Sequence, residues 1–235
     1  MNPYLQYDRL NIGCGYDHRP GFLNVDMDPA CKPDLLIRDN DLTVLPKRHF
    51  SEVLARDILE HIPRSQTMAI LLEWADLLKI AGKITIQTSS ILGVARLIEA
   101  HSSFEDHHNY TIYLFGNQAH AGDFHYTGFT EQTLRTYLLS AGFAIDSFVE
   151  WDNWLFLVEG TRVSDWTSLL ESHREATDEV FLLAAYDAAL GREPLEPYRS
   201  IHLQDLASGQ SRRALLRSLF SALERSYHVA HRAGL

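Results

Sequence analysis

The sequence predicts an α/β protein built on a parallel sheet with helices against it, and three observations predict this. Strand-like and helix-like runs alternate through the first half of the chain, the order that successive βαβ units produce. The apolar run Leu10-Asn11-Ile12 passes directly into Gly13-Cys14-Gly15, a buried strand followed by a tight glycine turn. A second run, Leu23-Asn24-Val25, ends in Asp26-Met27-Asp28, which sets an acid eleven residues after Gly15.

Taken in order, strands are expected near Arg9–Ile12, Leu23–Val25, Leu35–Arg38, Glu52–Arg56 and Lys83–Gln87. Between the last two, Ser65 opens a helix in which Met68, Leu71, Leu72, Ala75 and Leu78 recur at helical spacing and form core. Thr130 caps another helix with Leu134, Tyr137, Leu138 and Ala141 inward, stopped by Gly142. Ala144–Glu150 and Trp154–Glu159 then form a closing strand pair around Asp152-Asn153. Residues 91–127 are too long for a simple connection, and their aromatic and histidine content argues for function over disorder. The last third turns helical: Asp178–Leu190 stops at Gly191, and Ser211 caps a last helix carrying Leu215, Leu216, Leu219 and Phe220. Asp165–Thr177 is polar and reads as the linker between the two parts.

The glycine turn and the acid together describe a site for an adenosine-containing cofactor. Gly13 and Gly15 leave no side chain where a ligand must approach, and Asp26 at a strand end can accept hydrogen bonds from ribose hydroxyls. A dinucleotide turn needs G-x-G-x-x-G, yet the third position is His18, and the acid comes earlier than the usual twenty or so residues. No P-loop sequence occurs. A glycine turn without phosphate-binding features suits a cofactor without phosphates, which points to S-adenosylmethionine.

Further segments follow in a fixed order: Asp39-Asn40-Asp41-Leu42, Leu45-Pro46, Val53-Leu54-Ala55-Arg56-Asp57, Leu59-Glu60-His61-Ile62-Pro63, and Leu78-Lys79-Ile80-Ala81-Gly82-Lys83-Ile84. Over roughly residues 8–160 this series resembles class I S-adenosylmethionine-dependent methyltransferases of bacterial, surface-glycan-associated type. The resemblance implies a Rossmann-like methyltransferase fold, a doubly wound, seven-stranded, mostly parallel sheet. It implies cofactor contacts from Asn11, Gly13, Cys14, Gly15, Asp26 and Met27. Asp41 and Leu42 match the adenine-edge segment, with Asp39 as the alternative after a small register shift, and Arg56 and Asp57 lie beside the methionine end. Such families commonly carry an acid where Asn11 stands and a glycine where Asp17 stands. A neutral Asn11 can hydrogen-bond the methionyl ammonium without pairing with it as an ion; Asp17 either supplies that charge or is a solvated turn residue. The resemblance also makes residues 91–127 a substrate-binding lid.

Residues 178–224 resemble a small bacterial helical domain of unknown function with an LGREP…SGQSR signature, found on enzymes of surface-glycan metabolism. Its usual aromatic element is replaced here by Tyr198-Arg199-Ser200-Ile201-His202. The expected division is a methyltransferase domain over 1–164, then a linker and small α-helical domain over 165–235 that offers a surface to a protein partner. The Arg212-Arg213 pair reads as a solvated helix start.

Two histidines are candidate bases. His125, in Gly122-Asp123-Phe124-His125-Tyr126-Thr127-Gly128, matches a histidine segment of the related sequences, and His61 follows the Leu59-Glu60 pair. An imidazole titrates near neutral pH, which suits proton removal from a hydroxyl. No metal site is expected, because His107 and His108 cannot share a helix face and His120 and His125 lack ligand spacing. A net charge of −10 over 235 residues disfavours nucleic acid as partner. Cys14 and Cys31 are too few for a disulfide framework, and neither a signal peptide nor a membrane-length apolar run is read, so the expected location is cytoplasmic. The function expected is methyl transfer to a small or glycan-linked acceptor, at oxygen; the alternative is a degenerate methyltransferase fold that binds or scaffolds without turnover. A nicotinamide oxidoreductase is disfavoured by the glycine spacing.

Overall fold

A computed structural model describes residues 2–38 and 40–235. Among them, the strands β1 (Arg9–Ile12), β2 (Leu23–Asp26), β3 (Leu35–Leu36), β4 (Phe50–Arg56), β5 (Leu78–Ser89), β6 (Phe143–Trp151) and β7 (Leu155–Arg162) form one sheet. Its order is β3-β2-β1-β4-β5-β7-β6, with β7 antiparallel to both of its neighbours and the other pairings parallel. This is the seven-stranded Rossmann-like methyltransferase fold that the sequence predicts. Asp39, the alternative adenine-edge acid, lies outside the described residues.

The register decides what the sheet presents at its carboxyl edge. Ile12 sits opposite Val25 and Ala55, and Arg56 opposite Gln87. Gly13, Asp26 and Arg56 therefore reach the carboxyl edge of the sheet side by side, with Gln87 of β5 next to Arg56, where ligands of open parallel sheets bind. The early crossovers differ from expectation. No α-helix connects β1, β2, β3 and β4; only the 3-10 turns Pro3–Gln6 and Pro29–Cys31 occur before β4 among the described residues. The segments in question hold Pro20, Pro29, Pro33 and Pro46, which interrupt helix formation.

Helix α1 (Arg64–Leu77) follows Pro63, whose fixed φ leads into the first turn. It is buried nearly all round, Ile70, Trp74 and Asp76 included, which a helix on one sheet face alone would not be. The covering layer is the C-terminal part of the chain. Helices α2 (Ile91–Ala100) and α3 (Phe104–Phe115) occupy the long connection after β5. Helix α4 (Glu131–Ser140) begins with a reciprocal Thr130–Thr133 capping box. There follow α5 (Ser168–Ser172), α6 (Asp178–Leu190), α7 (Tyr198–Ala207), α8 (Arg212–Ser221) and α9 (Leu223–Ala233). Thr177 caps α6 and Gly191 ends it in the left-handed conformation. Ala222, at φ −63° and ψ 140°, breaks the final helical run into α8 and α9, a split the apolar spacing does not reveal.

Leu215, Leu216, Leu219 and Phe220 of α8 belong to the same apolar core as Leu71, Leu72 and Trp74 of α1. Each fully buried side chain of this kind contributes roughly 1.5–3 kcal/mol. The segment read as a linker is docked: Trp166 is buried, donates to the Leu72 carbonyl (3.2 Å), and lies 6.2 Å from the Phe220 ring. Asp165 holds two cations, the buried Arg162 and Arg48, each at 3.0 Å. The Arg212-Arg213 pair, although Arg213 stays half exposed, is engaged in tertiary contacts and is not merely a solvated helix start. Arg212 pairs with Asp178 (2.8 Å) and donates to the carbonyls of His173 and Ala176, while Arg213 pairs with buried Asp76. Arg225 has a different task. Burial pushes its pKa down to about 10, and it donates to the carbonyls of Ser140, Ala188 and Ala189, the last turns of α4 and α6.

Candidate functional site

At the end of β1 the chain turns through Gly13 and Gly15, at φ 65° and 49°. The two glycines answer to different constraints. A β-carbon on Gly13 would stand 2.9 Å from the Ile58 side chain, so this position is closed by protein. A β-carbon on Gly15 would meet nothing within 4 Å, so the turn opens there onto free space. Asp26 organises that turn: one carboxylate oxygen accepts from the Gly15 amide (2.7 Å), the other from the Asp28 amide (2.8 Å). Each oxygen retains a lone pair for a further donor. Burial drives the Cys14 thiol up to about 12, so it stays protonated, and its amide extends the ladder to Val25 O (3.1 Å).

Asn11 is buried and donates both amide hydrogens, to Asp17 O (2.9 Å) and to Asn24 Oδ1 (3.1 Å). Its side-chain oxygen is left as the acceptor facing other groups. Asp17 is the solvated alternative: its exposed carboxylate pairs with Arg19 at 2.5 Å. Met27 is exposed beside Asp26. Leu42 is in the core, so only its backbone is available to a ligand, and Asp41 accepts from the Thr43 amide (2.9 Å) and hydroxyl (2.6 Å). Those bonds hold the Asp41 carboxyl below its ordinary range.

Arg56 and Asp57 do not pair with each other. Both bind Gln87 at the end of β5: Arg56 Nε donates to its Oε1 (3.1 Å), and its Nε2 donates to both Asp57 oxygens (3.0 and 2.7 Å). Asp57 sits at φ 52°, a strained position for a residue with a side chain, held by its amide on Gln87 O (2.9 Å). The sequence marks Gln87 only as a strand residue; the signal of a further role is a polar side chain near the buried end of that strand.

The two candidate bases converge. The rings of His61 and His125 meet edge to face, with centroids 4.7 Å apart. His61 Nδ1 lies 3.1 Å from Phe124 O, and His125 Nδ1 lies 3.2 Å from Tyr113 O. A carbonyl can only accept, so both Nδ1 atoms carry hydrogen and the neutral rings keep Nε2 as the basic atom. Burial holds both imidazoles below the ordinary histidine pKa, and for His125 the neighbouring His61 adds to the effect. Beneath them Glu60 is fully buried and accepts from the Thr88 hydroxyl (2.9 Å). Burial, reinforced by the charge of Asp57, pushes its carboxyl up to about 7. The Glu60 carbonyl accepts from the amides of Tyr126 (2.8 Å) and Thr127 (3.1 Å), pinning the segment that carries His125. In the sequence Glu60 is likewise inconspicuous, standing beside His61.

Helices α2 and α3 pack together over residues 91–115, and Tyr113 stacks on Trp154 of the β6–β7 turn at 4.0 Å and 8°. Among the described residues, no three of His, Cys, Asp and Glu gather as a metal site, and no helix is long and apolar enough to cross a membrane.

No family model matches the chain, and no curated protein matches it. Solved structures do. A possible exported protein from Bordetella parapertussis is 12% identical over 69% of this chain, with a TM-score of 0.49; the chain spans 64% of that protein's length. A SAM-dependent methyltransferase from Methanosarcina mazei is 16% identical over 67% of this chain and 93% of its own, with a TM-score of 0.48. The 1,6-didemethyltoxoflavin-N1-methyltransferase of Burkholderia thailandensis, solved with S-adenosylhomocysteine, is 16% identical over 66% of this chain and 71% of its own, at 0.45. At these identities the likeness is one of fold.

Proposed function

We propose that this chain is an S-adenosylmethionine-dependent methyltransferase acting on a small or glycan-linked acceptor, at oxygen. The observation that carries the reading is the turn at Gly15, open to a ligand and tied through its amide to the carboxylate of Asp26. Asp26 retains acceptor capacity for the ribose hydroxyls, the exposed Met27 offers an apolar face to the adenine, and Asn11 presents an amide oxygen to the methionyl ammonium. Asp57, at the end of the neighbouring strand, supplies the negative charge that Asn11 lacks. When bound, the cofactor supplies an electrophilic methyl group on a sulfonium centre.

The chain's own contribution is orientation and a base. Nε2 of His125 or His61 takes the proton of the acceptor hydroxyl as its oxygen becomes the nucleophile. Low histidine pKa values keep that atom unprotonated near neutrality. Isothermal titration with S-adenosylhomocysteine is the direct test: saturable binding lost on substitution of Asp26 supports the reading, and no binding to the folded chain removes it. Binding with no turnover on any hydroxylated acceptor would favour the scaffold alternative, which the neutral Asn11 supports.

A further inference from the structure

A second cavity, of about 760 Å³, lies beyond the segment that carries His125. Its walls come from the start of α1, residues 126–128, Tyr137 of α4, and the junction of α8 and α9. Four features give it a chemical character. Arg64 is exposed at its rim and makes no ion pair among the described residues, in a chain whose net charge is −10. The first turns of both α1 and α9 line it, and neither has a side-chain cap. The first turn of α1 also lacks an acid, and Glu224 of α9 is engaged by Arg192 at 2.5 Å. Uncapped helix starts present unpaired amides and positive potential, which favour an anion.

Ser226 supplies the third feature. It is 4% exposed, lines the cavity, and its hydroxyl has no hydrogen-bond partner. Buried hydroxyls are ordinarily satisfied, and this one in the cavity wall is not. The fourth is Tyr126, 56% exposed, which with Tyr137 offers aromatic rings carrying hydroxyl groups. Such rings accept the apolar face of a ligand that is otherwise rich in hydroxyls.

We propose that this groove binds an anionic sugar, a sugar carboxylate or sugar phosphate, with its charge on Arg64 and the uncapped helix starts and its ring against Tyr126. Resting on the methyltransferase reading, this sugar is the part of the acceptor remote from the methylated atom. Tyr126 directly follows His125, so the groove begins one residue from the candidate base. The C-terminal helices then furnish one wall of the acceptor site through Ser221, Leu223 and Ser226.

Titration of the full chain with glucuronate, glucose 6-phosphate and glucose tests this. At least one anionic sugar should bind roughly tenfold more tightly than glucose, and which one separates carboxylate from phosphate. Arg64→Ala should remove about tenfold of that affinity, and Tyr126→Ala should weaken it as well; both positions are exposed enough to leave the melting temperature unchanged. Ser226→Leu should block the groove. Anionic sugars that bind no better than glucose, or that bind both exposed variants as well as the parent, overturn the proposal. S-adenosylhomocysteine titrated into the same samples keeps the two readings apart. Cofactor binding without sugar binding removes the groove alone, whereas sugar binding without cofactor binding removes its acceptor role and leaves a saccharide site.

Discussion

Asp76, buried in α1, takes its counter-charge from Arg213, 137 residues further along the chain. The Arg213 guanidinium also lies over the Trp166 ring, 5.1 Å from its centroid. This contact ties the C-terminal helices to the helix beside the central strands. Arg213→Ala leaves the Asp76 carboxylate buried without an ion-pair partner, only the charge of Arg162 remaining near it, and should destabilise the protein by about 2–3 kcal/mol, somewhat less than for a wholly buried pair because Arg213 is itself half exposed. Chemical denaturation measures this, and Asp76→Asn in the Arg213→Ala background should recover part of the loss.

Removing residues 165–235 altogether strips the cover from Trp74, Ile70 and Leu71. A chain ending at 164 should therefore melt well below the full protein or aggregate. An unchanged melting temperature would mean that the two parts are separate folding units.

Glu60 makes stability depend on pH in an unusual direction. The folded chain keeps this proton up to about pH 7, while the unfolded chain releases it near 4.5. The native state thus binds the extra proton between those values, so stability contributed by Glu60 is complete below 4.5 and is lost as pH rises to 7. The loss is on the order of 3 kcal/mol across that window. Glu60→Gln keeps an acceptor for Thr88 and should flatten this part of the profile in denaturation curves taken from pH 4.5 to 8.

Cofactor affinity should respond to Asp26 more than to any other single residue in the glycine turn. Asp26→Ala removes charge-assisted bonds worth about 1.5–3 kcal/mol and should weaken S-adenosylhomocysteine roughly ten- to a hundredfold by titration. Gly13→Val should act differently, through folding: its side chain meets Ile58, not the ligand space. A valine at Gly13 that preserves the melting temperature while abolishing binding would reverse this assignment.

The histidine pair predicts a pH profile. Both groups are held below 6.5, so turnover should climb with pH beneath that value and be level from 7 to 8. Replacing the residue that acts as base by Ala should lower kcat by about 10²–10⁴, with cofactor affinity intact. If His125 is the base, His61→Ala should shift the profile to higher pH instead, because the His61 ring helps hold the His125 pKa down. Activity unchanged by both would mean that the acceptor needs no base.

Much of this was legible in the sequence because it is local. Glycine turns, caps at Thr130 and Ser211, and apolar spacing in α1, α4 and α6 each act over a few residues. The strands are found within a few residues of their expected ends, β5 apart, which starts at Leu78. What the sequence concealed depends on distant partners. Nothing near Arg213 announces Asp76, and nothing near Trp166 announces Leu72 and Phe220. The meeting of His61 with His125 arises from amides of one segment bonding the Glu60 carbonyl of another. Alpha-helical crossovers expected early in the sheet failed for the opposite reason, since proline locally overrides the alternation.

The insertion of β7 between β5 and β6 has a consequence for how the protein is made. Lys83 pairs with Thr161, 78 residues later, so the β5 edge stands unpaired until that segment has emerged. At about 5–20 residues per second this wait lasts roughly 4–16 s. Through that interval the nascent chain carries an open apolar strand, Ile84 and Ile86 included, next to an already pairable β4. Such an edge is a template for pairing with another chain. Closure of this sheet during synthesis therefore waits on β7, and the exposed β5 edge is where the nascent chain is open to wrong pairing.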